Sequence, residues 1–233
     1  MLGLCKVYSV WQVVLGFGVC IDDADTIISS IKYVRIRESL SLHTGGHLQM
    51  LRTPILKRQE VPEKYLDAFD YETKDSGGLV TSGPGSAMIN SPEMRKRANQ
   101  LVYYLRDESS LPKQVQELAM ILTARAMDCQ YIWYAHSVGA RDQGISQEFI
   151  DALREKKSLP KLDDKLQVVV EYVSEVFATH RTSQKTFDRA IDQFGAIGVT
   201  ELTTLIGYYT LLAFNANSFD IDVPNDNDPK LPI

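Results

Sequence analysis

From Ser91 to Asn217 apolar residues recur at intervals of three and four, and no segment alternates apolar with polar in the manner of a half-buried strand. That period constrains the chain more than any other feature, because it admits helices packed on helices and little else. Ser91-Pro92-Glu93 predicts the first helix start, with a capping serine, a proline where no amide is needed and an acid at the positive end of the dipole. This helix carries Met94, Ala98, Leu101, Val102 and Leu105 on one face. Leu111-Pro112 opens a second helix whose interior, Val115 to Met127, is apolar almost all round and should be central and buried. A third runs from about Cys129 to Gln143 and stops at Gly144. Ser146 caps a fourth, with Phe149, Ile150 and Leu153 inward, and Asp163 or Asp164 starts a fifth. The run Leu166 to Val170 is β-branched, yet the apolar positions beyond it keep helical spacing. Ser183 begins a sixth helix ending at Gly195, and Thr200 caps a seventh. The acidic, proline-containing stretch after Asn217 reads as a surface tail.

The flanking sequence is less ordered in pattern. Residues 1–50 show no clear period and are treated as an N-terminal extension, with 51–233 as one helical domain. Residues 51–90 look loop-like, punctuated by Pro54, Pro62, Gly77-Gly78 and Gly83-Pro84-Gly85. Val7 to Cys20 is mostly apolar but too short for a membrane-spanning helix. It reads as a poor signal-peptide core, a strand, a packed extension or translated sequence upstream of the true start, with Met50 as an alternative start.

Charge and cysteine content narrow the partners. A formal net charge of −5 and the lack of a long Lys/Arg run argue against nucleic acid. Cys5, Cys20 and Cys129 are too few and scattered for a disulfide framework, and no Cys/His grouping has zinc spacing. The expectation is a cytoplasmic protein with no metal, no cofactor and no membrane contact, acting on a small molecule.

One helical stripe concentrates the chemistry. Cys129, Ile132, Trp133 and His136 stand at i, i+3, i+4 and i+7. Such a stripe is either core with a satisfied histidine or the wall of a site. Cys129 and His136 lie about 10 Å apart along the axis, too far for a direct thiol–imidazole hydrogen bond. Glu117, on the preceding buried helix, is the natural partner of this stripe: an acid or base in an apolar pocket, or an acid answering the helix dipole. A weak internal echo, Val115-Gln116-Glu117-Leu118 and Val199-Thr200-Glu201-Leu202, fits either an ancient duplication or chance.

Glu117-Leu118-Ala119, Cys129-x-Tyr131-x-Trp133-x-x-His136 and Gly144-Ile145-Ser146 with Ile150 and Leu153 resemble the core motif of the carboxymuconolactone decarboxylase family, which includes the alkyl hydroperoxidase D proteins. Gly83-Pro84, Pro92-Glu93-Met94, Leu105-Arg106 and Glu201-Leu202 through Asn217 resemble long-form relatives, so the likeness spans roughly Leu51 to Pro232. The resemblance implies an alkyl hydroperoxidase D-like all-α bundle of about seven helices that assembles as a homo-oligomer. It also implies site roles for Glu117, Cys129 and His136. Ile132 stands where the hydroperoxidases carry their second cysteine and many long-form relatives a glutamate, so a dithiol cycle has no second thiol.

Three functions remain open. The first is an enzyme acting on a small organic acid or lactone by proton transfer or decarboxylation at His136, with Arg125 as a carboxylate partner and Tyr131 and Trp133 in the substrate-binding wall. The second is a one-cysteine peroxidase using Cys129. The third is a catalytically degenerate binding or scaffold protein.

Overall fold

The computed structural model describes residues 52–224 and 230–233. The extension assigned to residues 1–50, including Cys5 and Cys20, lies outside them. The described residues contain eight α-helices and no strand: α1 Leu66–Thr73, α2 Gly83–Met88, α3 Pro92–Tyr103, α4 Lys113–Ala126, α5 Gln130–Asp142, α6 Gln147–Arg154, α7 Asp164–Thr179 and α8 Gln184–Phe219. A π turn, Tyr104–Glu108, extends α3.

Helix α4 is the centre, as its all-round apolarity requires. Leu118, Ala119, Met120 and Ile121 point in successive directions around the helix, and all are at most 1% exposed. Helices α5, α7 and α8 pack against it, with α6 on a further side. Burying one such Leu or Ile contributes about 1.5–3 kcal/mol, so this helix holds the bundle together.

The helix boundaries follow local chemistry. The Ser146 hydroxyl accepts from the Phe149 amide at 3.2 Å, and the Asp163 carboxylate accepts from the Leu166 amide at 3.0 Å. Gly144 takes φ +90° just beyond α5. Ser183 caps α8 and, with Thr186, is held by Glu175 of α7: the carboxylate accepts the Ser183 amide at 2.6 Å and the Thr186 hydroxyl at 2.7 Å. These bonds, the Ser183 amide first, hold the Glu175 carboxyl below its ordinary pKa.

Four expectations need correction. Residues 51–90 are not loop-like: they form α1, α2 and two 3-10 turns around a small core of Val61, Phe69 and Ile89. Their polar tie is Glu72, nearly buried, which accepts from Arg95 at 3.0 Å and from Asn99 of α3. The apolar face of α3 is not a buried stripe, because Met94 and Leu101 are 45% and 42% exposed. Thr200 does not cap a helix; its hydroxyl bonds back to the Ala196 carbonyl at 2.8 Å inside one. Helix α8 instead resumes directly after a break at Gly195, where φ is 64° and ψ is 177°. The segment after Asn217 is anchored rather than free: Leu231 is buried, its amide donates to Gln130 at 2.8 Å, and Arg125 donates to the Pro232 carbonyl at 3.1 Å.

By length and composition α8 could cross a membrane, but half of its most apolar window is buried within the domain, as for a core helix.

The Gly195 backbone lies in a region that residues with a Cβ adopt only at a cost of about 1–3 kcal/mol, while nothing lies within 4 Å of where that Cβ would sit. Gly207, in regular helix, is equally uncrowded. Gly195→Ala should therefore lower stability in urea unfolding by about 1–3 kcal/mol. Gly207→Ala should raise it by about 0.5–1 kcal/mol. Equal effects at the two positions would refute the backbone account.

Candidate active site

The histidine and the carboxylate meet. His136 Nδ1 lies 2.9 Å from Glu117 Oε2. Both side chains are largely buried, at 10% and 15% exposure. Glu117 reaches α5 because Gly139 stands opposite it: a Cβ there would lie 2.8 Å from Oε2. A carboxylate accepts, so this geometry favours the tautomer with its proton on Nδ1, leaving Nε2 to take or give a proton elsewhere.

A third group completes the surroundings. The edge of the His136 ring packs against Tyr209 of α8, with centroids 5.1 Å apart and planes 79° apart. Burial pushes the Tyr209 phenol well above its ordinary pKa, Arg106 offsets part of this, and Glu117 adds to it. The phenol therefore stays protonated and uncharged. The sequence shows Tyr209 only as one more inward position of the last helix. Its polar tip in an otherwise aliphatic stripe is the one local hint, and Gly139, between Val138 and Ala140, gives no hint at all.

The other candidates separate. Cys129 is the N-cap of α5 and fully buried. Burial pushes its thiol up, and the amides of Ile132 and Tyr131 at the helix start offset only part of this. Ile132 is 2% exposed and fills core. Trp133 is buried and walls a void of about 40 Å³ with Ser137, Arg141 and Ile150, toward α6. Tyr131 points to the start of α2: its hydroxyl occupies the space of a Gly83 Cβ and bonds Ser82. Burial raises the pKa of this phenol as well. Arg125 stands eight residues beyond Glu117, about 12 Å along α4, and pairs with Asp128 at 2.6 Å. The structure thus brings Glu117 and His136 together and places Arg125 and Tyr131 elsewhere. Among the described residues, no group of three or more His, Cys, Asp or Glu side chains could hold a metal ion.

The echo of the Glu117 motif has a different role. Glu201 is 6% exposed and accepts from the Tyr104 hydroxyl at 2.7 Å and from the Ser110 amide and hydroxyl at 2.9 and 2.5 Å. Burial pushes this carboxyl up, but those hydrogen bonds outweigh it and the pKa falls below the ordinary value. Glu201 is a clamp between α8 and the chain before α4.

Gly139→Ala should move the flexible Glu117 carboxylate off His136 without removing either group. The expected outcome in ¹⁵N NMR is loss of the single imidazole tautomer, with a stability change of about 1 kcal/mol or less. An unchanged tautomer would mean that Glu117 does not set it.

Comparisons with known proteins bear on the fold. Residues 92–175, which contain Glu117, Cys129 and His136, match the carboxymuconolactone decarboxylase family. No protein of curated function matches the sequence. Among solved structures, an alkylhydroperoxidase AhpD core protein from Ralstonia eutropha JMP134, described as peroxidase-related, superimposes with a TM-score of 0.58 at 15% identity, covering 76% of this chain and 93% of its own. A protein of unknown function from Agrobacterium tumefaciens, described as a candidate AhpD of antioxidant defence, gives 0.53 at 18% identity, covering 60% and 96%. A variant of the debrominase Bmp8, solved in complex with 2,3,4-tribromopyrrole, gives 0.55 at 13% identity, covering 76% and 92%. At these identities the superpositions establish the fold alone. Residues 92–175 thus resemble the carboxymuconolactone decarboxylase family, and the described residues share the AhpD-like helical fold.

Proposed function

We propose that this protein is a proton-transfer enzyme acting on a small organic acid or lactone, with His136 as general acid and base. The observation that carries the reading is the buried 2.9 Å contact between His136 Nδ1 and Glu117. Glu117 fixes the ring and balances the charge of the imidazolium, as an acid–base histidine requires. In a decarboxylation, the bond between the substrate carbon and its carboxylate breaks and carbon dioxide leaves. The electron pair stays on carbon, delocalised into an adjacent acceptor group, until the imidazolium delivers a proton from Nε2. Tyr209, held neutral by burial, can stabilise the developing anion by donation.

The one-cysteine peroxidase reading has less support. A thiol whose pKa is raised by burial supplies little thiolate near neutral pH, and Ile132 provides no resolving thiol. A catalytically silent binding or scaffold role draws support from one observation: His136 is enclosed, 8% exposed, with Tyr209 against its ring. Turnover separates these readings. With carboxylated muconolactone as the probe and carbon dioxide release as the readout, His136→Gln should lower kcat about 100-fold or more. Glu117→Gln should lower it by roughly tenfold or more. Cys129→Ala should stay near wild type. A wild-type rate in His136→Gln, or carbon dioxide release that requires Cys129, would sink the acid–base reading.

The same proposal includes a homo-oligomer in a reducing, cytoplasmic compartment. Between α3 and α8, Leu101, Tyr104 and Ile197 line an apolar groove of about 410 Å³, and Ile197 is 70% exposed. Apolar surface of this kind marks an association site. Light scattering should give a mass above one chain for the wild type and a smaller particle for Ile197→Asp. A wild-type monomer at micromolar concentration would overturn the assembly.

A further inference from the structure

The guanidinium of Arg125 has more donors than acceptors. The residue is 5% exposed. Of its five N–H groups, Nη1 donates to Asp128 Oδ1 at 2.6 Å and Nη2 to the Pro232 carbonyl at 3.1 Å. Buried Nε has no hydrogen-bond partner among the described residues. Orphaned donors on a buried cation are uncommon, because each forfeits its hydration without compensation.

A cavity adjoins this cation. A cleft of about 220 Å³, open to solvent on one side, lies between α4, α6, α7 and the segment after α6, with Leu122, Leu153, Leu159, Val173 and Phe177 as apolar walls. Arg125 forms part of the lining, Lys156 stands at the rim and exposed Ser174 at the open side. Lys156 Nζ lies 3.3 Å from Asp128, so Arg125 and Lys156 share that carboxylate. Apolar walls with two cations at the lining together fit a carboxylate carried on a hydrophobic body.

We infer that this cavity binds a small amphipathic monocarboxylate, its carboxylate at Arg125 and Lys156 and its apolar body against Leu122, Leu159, Val173 and Phe177. The volume suits a medium-chain or single-ring acid rather than a drug-sized ligand. The site is separate from the Glu117–His136 pair, about 12 Å further along α4. It holds whether or not that pair performs decarboxylation.

Calorimetric titration of the full-length protein with octanoate, octanol and octylammonium tests this. Octanoate should bind saturably at one site per chain. Octanol should bind about tenfold more weakly, for want of the ionic contact, and octylammonium not at all. Ser174→Trp, which fills the cavity from its exposed side and spares the buried arginine, should abolish binding. Lys156→Glu should weaken it about tenfold. His136→Gln should leave it unchanged. Should Arg125→Met fail to fold, the Ser174 and Lys156 variants still decide the matter. Equal affinity for octanoate and octanol, octanoate binding that survives Ser174→Trp, binding lost in His136→Gln, or no saturable binding into the millimolar range would overturn the inference.

Discussion

The burial of α4 on every side is the constraint on which the rest depends. A helix with no solvent face must be surrounded, and α5, α6, α7 and α8 are the surround. Any polar group on such a helix has to be satisfied by what packs against it. Glu117 finds His136 across Gly139, Gln116 donates to the Leu111 carbonyl at 2.9 Å, and Arg125 finds Asp128 and Pro232. The chemistry of this protein is therefore written along one helix, and its neighbours supply the partners.

The two glutamates of the V-x-E-L echo show how context divides similar residues. Glu201 receives three neutral donors and becomes a tie between elements. Glu117 meets the one imidazole of His136. A carboxylate saturated by fixed donors ties backbone and hydroxyl in place, whereas one facing an imidazole orients the ring and selects its tautomer.

Much of the fold was legible because its determinants are local. The caps at Ser146, Asp163 and Ser183, the stop at Gly144 and the apolar girth of α4 are all read within one turn of chain. What escaped depends on distant residues. Helices α1 and α2 are too short to declare a period, and they stand because Glu72 meets Arg95 and Phe69 meets Ile89. The tail looked free because its acids and prolines are visible, while the anchors Leu231 and Pro232 gain meaning only from Gln130 and Arg125. At the site, the pairing of Glu117 with His136 was readable only through the resemblance to the family motif, because spacing within a helix leaves each as a core position. Tyr209 was not, since an inward tyrosine on a core helix looks the same whether it packs against leucine or imidazole. Arg125 was seen as a carboxylate partner, but nothing in the sequence could turn it toward the far end of α4.

The break at Gly195 divides α8 into two rods with separate attachments. The first is stitched to α7 through Glu175 and an Arg189–Glu171 ion pair. The second carries Leu202, Leu205, Ile206 and Tyr209 into the core against α4. An interrupted ladder cannot transmit cooperativity along the helix axis. Residues 184–194 can therefore open ahead of the core, whereas 196–219 are tied to α4 and, through the Tyr172–Thr203 hydrogen bond at 2.7 Å, to α7. The face of the bundle that carries His136 thus inherits the slow clock of the core, and the first rod of α8 keeps a faster one.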